Sequence, residues 1–181
     1  EDEEEEEDSQ AEDDEALLLA CASGAEVFVS RPVAGGYHLL ALDIGFEVNA
    51  LVVFKEPATG APRLACGTTE FNEDYEAVGG DVRIFDAVAG GEALLVLNVG
   101  SYVNALVAFD DLATGTLRLA IGSQDKKVRV FDPVAGGEAL VVLEGHTCDV
   151  RRLTAFRDPA TGERQLVSAA NDIRVWNPEA G

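Results

Sequence analysis

Short apolar runs, each about five to seven residues long and bracketed by Gly, Pro, Asp or Asn, recur along the chain from Leu17 to Trp176. Fourteen can be counted, among them VFV, HLLAL, NALVVF, RLACG, VRIF, ALLVL, NALVAF, RLAIG, VRVF, ALVVL, QLVSAA and IRVW. Ala and Leu in GEALLVLNVGSYVNALVAF would tolerate a helix, but Asn98, Gly100 and Ser101 interrupt it and no polar face returns every 3.6 residues. The pattern predicts strands. Because the runs are continuously apolar rather than strictly alternating, both faces of each sheet are expected to be covered.

Three turn sequences recur in fixed order. PATG or LATG ends at Gly60, Gly115 and Gly162, and VAGG ends at Gly36, Gly91 and Gly137, with a shortened PEAG at Gly181. Pro133 follows Ala87 by 46 residues and Pro178 follows Pro133 by 45, whereas Ala87 follows Pro32 by 55. A period near 45 residues holding four short strands is that of a propeller blade. One such sheet cannot bury both faces alone, so neighbouring units must stack. The nine-residue excess lies in TTEFNEDYEAVGGD, between Gly67 and Val82.

The stretch RLAIGSQDKKVRVFD followed by ALVVLEGHTCDVRRL resembles the WD-repeat (WD40-type) β-propeller family, with degenerate repeats over residues 16–181. With strands lettered a to d, the chain reads bcd, abcd, abcd, abc, in units of roughly 16–45, 46–98, 99–144 and 145–181. The resemblance implies an all-β partial propeller of about three and a half four-stranded blades. Since the family forms rings of about seven blades, the missing blades are expected from a longer chain or from self-association.

The resemblance also implies a structural hydrogen-bond network of His146, Ser168, Asp172 and Trp176. Ser, His and Asp together raise a remote alternative, a hydrolase, but the Trp and the repeat position favour a blade lock. In the other units the Ser168 slot holds Cys21, Cys66 and Ile121, and the Trp176 slot holds Phe85 and Phe131. Apolar contact is therefore expected to replace the network there, with Cys21 and Cys66 as small core residues.

Charge changes the picture at one end. The net charge is −21, and residues 1–15 hold twelve carboxylates with no Lys or Arg, leaving −9 for the remainder. Such a segment is expected to be a disordered acidic tail. The acidic body disfavours nucleic acid as a partner. No run is long enough to suggest a membrane span, and three cysteines without metal-ligand spacing suggest reduced thiols, hence a cytoplasmic or nuclear protein. No catalytic, metal or cofactor motif is present, so the chain is read as a non-enzyme with no cofactor and no metal.

The a–b and c–d turns repeat almost unchanged, whereas the d–a and b–c loops differ from unit to unit. That variable face is the expected surface for protein partners. Its candidate binding residues are Phe71, Asp74 and Tyr75 in the inserted loop, Tyr102, and the basic pairs Lys126–Lys127 and Arg151–Arg152. Asn72, Asp74 and Glu76 alternate like calcium ligands, but Ala77 stands where the loop would need glycine. The expected function is a scaffold or adaptor acting through the variable face. The alternative is a basic-peptide or histone-like binding module that uses the acidic tail and the 68–81 loop.

Overall fold

The computed structural model describes residues 17–31 and 38–178; the acidic tail, the first VAGG turn and the closing EAG lie outside them. Fifteen strands and no helix form among the described residues. They make four antiparallel sheets in chain order. The first holds β1 (Leu19–Ser23), β2 (Glu26–Ser30) and β3 (His38–Asp43). The second holds β4 (Glu47–Lys55), β5 (Pro62–Phe71), β7 (Asp81–Asp86) and β8 (Gly90–Asn98), with β6 (Ala77–Gly79) paired to the far end of β5. The third holds β9 (Val103–Asp110), β10 (Leu117–Ser123), β11 (Val128–Phe131) and β12 (Val141–Leu143). The fourth holds β13 (Arg152–Arg157), β14 (Arg164–Ala169) and β15 (Ile173–Trp176).

The fifteenth strand, β6, is where the sequence reading needs correction. The inserted stretch 68–81 was expected to be a loop, but β5 runs on to Phe71 and β6 folds back onto it, pairing Glu70 with Gly79 and Phe71 with Ala77. Asn72 holds the hairpin tip, because its side-chain oxygen accepts the backbone N–H groups of Asp74 and Glu76 at 3.0 and 2.8 Å. An Asx side chain thus supplies the local partner that a loose insertion would lack.

Strand alternation divides each inner sheet between two cores. In β5, Leu64 and Cys66 face the first sheet while Ala65 faces the third. In β10, Leu119 and Ile121 face the second sheet while Ala120 faces the fourth. Successive side chains point to opposite faces, so one apolar run fills two interfaces. Gly67 and Gly122 mark two close approaches along the stack. A β-carbon at Gly67 would stand 2.3 Å from Val103 Cγ1, and one at Gly122 would stand 2.7 Å from Val150 Cγ1.

The stack has two open ends. Leu19, Leu39 and Cys21 are exposed on the outer face of the first sheet, and Phe156, Ile173 and Val175 on that of the fourth. Cys21 is therefore not the core residue that its repeat position suggests: its slot faces a preceding sheet, and none precedes it among the described residues. Cys66, in the equivalent slot of the second sheet, is buried, and burial pushes its thiol up to about 12.

The repetitive turns are held by repeated ion pairs. Arg63, at the start of β5, joins Glu56 of the a–b turn to Asp86 of the c–d turn. Arg118 does the same in the next unit with Asp111 and Asp132. Asp86 also accepts the N–H groups of Ala89 and Val88, which hold its carboxyl below the ordinary value of 3.8. One geometry repeated in two units explains why these turns barely vary.

Candidate interaction face

The d–a loops and the b–c turns meet on the opposite face. Backbone bonds tie them together in each unit: Val48 to Gly24, Gly100 to Gly80, Gln124 to Tyr102, Val150 to Ser123 and Arg151 to Ala169. A glycine in the left-handed region opens each d–a loop, Gly45 at φ 77°, Gly100 at φ 68° and Gly145 at φ 142°. The residue after each glycine meets the following sheet, Phe46 at Arg83 of β7, Ser101 at Asp125 and His146 at Asp172.

In the fourth sheet this residue completes a five-membered relay. Trp176 Nε1–H donates to Ser168 Oγ at 2.7 Å, and Ser168 lies 2.6 Å from His146 Nε2. His146 Nδ1 lies 2.5 Å from Asp172 Oδ1, and Arg174 Nε–H donates to the other carboxylate oxygen at 2.9 Å. A carboxylate only accepts, so the proton belongs on Nδ1, and Ser168 then donates to Nε2. No buried side-chain nitrogen or oxygen among the described residues lacks a partner. The Asp172 carboxyl is held below its ordinary value by the His146 hydrogen bond first, and then by Arg174. Ser168 is fully buried and its oxygen already takes the indole N–H, a geometry suited to holding a loop rather than to presenting a nucleophile.

The second and third sheets correct a further expectation. Cys66 and Ile121 do fill the Ser168 slot, opposite Arg83 and Arg129 as Ser168 is opposite Arg174. Yet the polar network is not lost; its hydroxyl has moved two residues along the same strand face. Thr68 Oγ1 donates to Asp81 Oδ1 at 2.6 Å, and Asp81 pairs with Arg83. Ser123 Oγ donates to Asp125 Oδ1 at 2.6 Å, and Asp125 pairs with Arg129. The loop residues adapt to this change. Phe46 lies under the Arg83 guanidinium at 4.2 Å, and Ser101 Oγ accepts the Asp125 N–H at 3.2 Å.

Of the binding residues proposed from sequence, the structure gathers four. Phe71 packs edge-on against Tyr102 with ring centroids 6.3 Å apart. Tyr102, Arg151 and Arg152 line one recess of about 450 Å³ together with Asn49, Asn104, Gln124 and Asp149. Asp74 and Tyr75 sit apart at the hairpin tip, where Tyr75 is 88% exposed at φ 59°. Lys126 and Lys127 occupy the next b–c turn, and Lys127 is neutralised by Glu144 at 2.6 Å. No cluster of three or more His, Cys, Asp or Glu side chains suited to a metal forms among the described residues.

Sequence reasoning missed Asn49, Asn104 and Gln124. A signal was present: VNALV leads into β4 and β9 alike, and VRRLTAF leads into β13 in the same way. Asn49, Asn104 and Arg151 are thus equivalent positions of successive first strands, which pack side by side. Equivalent positions of neighbouring units converge on one recess.

No protein-family model matches the chain, and no curated protein matches its sequence. Its structure is similar to the crystal structure of Saccharomyces cerevisiae Sqt1, a WD-repeat protein, with a TM-score of 0.65 and 18% identity. The match covers 88% of this chain and 40% of the Sqt1 chain, so this chain spans less than half of that protein's length. A likeness at this identity concerns the fold: the sheets have a WD40-like, β-propeller-like arrangement that the described residues leave open rather than closed into a ring.

Proposed function

We propose that the chain is a non-enzymatic scaffold or adaptor module that holds protein partners on its variable face. One observation carries this reading. The d–a and b–c loops differ in every unit and are locked to rigid sheets, whereas the opposite turns repeat one ion-paired geometry. Varied side chains on a fixed frame are what selective recognition requires. The WD40-like fold supports it.

Proximity capture with two variants tests it. One carries Arg151→Glu and Arg152→Glu on the variable face; the other carries Thr59→Glu and Thr114→Glu on the repetitive face. The first is expected to lose partners that the second keeps. Identical partners from both variants would overturn the assignment of the surface.

The second reading, a basic-peptide or histone-like module, draws on the exposed hairpin tip, where Tyr75 stands among Glu73, Asp74 and Glu76. It requires binding that weakens steeply with salt and is lost when residues 1–15 are deleted.

A further inference from the structure

This inference rests on the scaffold reading and names the chemistry that the variable face takes. The chain is strongly acidic, and five of its ten arginines, Arg63, Arg83, Arg118, Arg129 and Arg174, each hold a carboxylate, while Arg157 and Arg164 donate to the carbonyls of Gly162 and Asp110. Among the described residues neither Arg151 nor Arg152 has an acidic partner, and Arg152 donates only to the Arg151 carbonyl at 2.7 Å. Their strand position is fixed, since Arg151 N–H bonds Ala169 O at 2.9 Å.

The rest of the recess agrees with them. Among the described residues the side-chain amides of Asn104 and Gln124 have no hydrogen-bond partner, and Asn49 is oriented by its bond to Thr69 at 2.7 Å. Gln124 is carried on a backbone bond to Tyr102. Guanidinium, amide and phenol groups together offer many hydrogen-bond donors, against a single carboxylate, that of Asp149. Beside them stands the Phe71–Tyr102 pair, with Phe71 still 39% exposed.

We propose that this recess binds a partner peptide through a carboxylate side chain seated on Arg151 and Arg152, with a neighbouring aromatic residue against Phe71 and Tyr102. The recess charge decides between anions. Two arginines and Asp149 leave one net positive charge, which a glutamate or aspartate neutralises. A phosphate, carrying about −1.5 to −2, would remain uncompensated against Asp149. Planar guanidinium groups also match a carboxylate in the paired geometry that makes such contacts strong.

The test is an NMR titration of the full chain with three capped dipeptides, acetyl-Phe-Glu-amide, acetyl-Phe-Gln-amide and acetyl-Phe-phosphoserine-amide. The Glu peptide is expected to shift the Tyr102 and Gln124 amides and the Arg151 and Arg152 side-chain Nε signals, about tenfold more tightly than the Gln peptide. Arg151→Gln with Arg152→Gln should abolish that preference while the rest of the spectrum keeps its dispersion. Asp149→Asn should tighten Glu binding severalfold. Equal binding of Glu and Gln peptides, or shifts away from the recess, would overturn the proposal. Tighter binding of the phosphoserine peptide would overturn the choice of carboxylate. Failure of all three peptides, with partners still lost from the Arg151/Arg152 capture variant, would sink this inference and leave the scaffold reading standing.

Discussion

The third and fourth sheets solve one problem with different chemistry. Each must fix a d–a loop against a b–c turn. The fourth does so with a buried relay in which Ser168 serves two neighbours at once, Trp176 and His146. The third fills the same slot with Ile121 and moves its hydroxyl to Ser123, equally buried at the end of β10, where Asp125 is already tied to Arg129. The relay is a single connected chain, so losing its middle strands both ends. The Ser123–Asp125–Arg129 cluster is redundant, because the ion pair survives without the hydroxyl. A linear relay is therefore the brittle solution and a cross-braced cluster the tolerant one.

Ser168→Ala puts the largest strain on this contrast. It leaves the Trp176 N–H and His146 Nε2 buried without partners, and each such group costs about 1–3 kcal/mol. A loss of about 2–4 kcal/mol is expected, read as a lower urea midpoint at unchanged slope. A loss below about 1 kcal/mol would show that the relay is not the unit that holds the fourth sheet.

Ser123→Ala should do much less. The hydroxyl's bonds to Asp125 and from Arg129 are lost, but Asp125 and Arg129 keep each other and Asp125 keeps the backbone N–H of Lys127, so no group is stranded and about 1 kcal/mol is lost. The comparison is sharpest when both variants are measured side by side. Equal losses would remove the distinction between the two designs.

The repeat made much of this legible. Runs of branched and aromatic residues between Gly and Pro signalled the strands, and the resemblance to WD repeats implied the grouping of His146, Ser168, Asp172 and Trp176, whose side chains are hydrogen-bonded in the fourth sheet. Slot-by-slot alignment of the units hid the clusters of the second and third sheets. It compares one position per unit, whereas Thr68 and Ser123 act from two residues further along the same strand face. A period-two element lets a polar group slide by two without changing sides, and a fixed slot does not register that. Cys21 was misread for another reason: its apolar slot is the same in every unit, but whether a sheet covers that face depends on position in the stack. The recess was legible only in part, since Asn49 and Asn104 look like ordinary strand residues until three first strands lie side by side.

Acid is the gentlest probe of the Asp125 cluster. For Asp125, burial alone would raise the carboxyl; hydrogen bonds from Arg129 and Ser123, with the Arg129 charge, outweigh it and hold the group below the ordinary value of 3.8. The unfolded chain therefore takes up this proton at higher pH than the folded one does. The stability that Asp125 contributes is complete above 3.8 and is lost as pH falls through the lower folded value. Asp86, Asp111 and Asp172 are also held low, so the wild-type curve alone mixes several carboxyls. The difference between wild type and Asp125→Asn cancels the others. Urea midpoints taken from about pH 7 to about pH 3 should show a constant gap at neutral pH that narrows in acid. A gap that stays the same down to the lowest pH would mean that the charge on Asp125 does not hold the third sheet's loop.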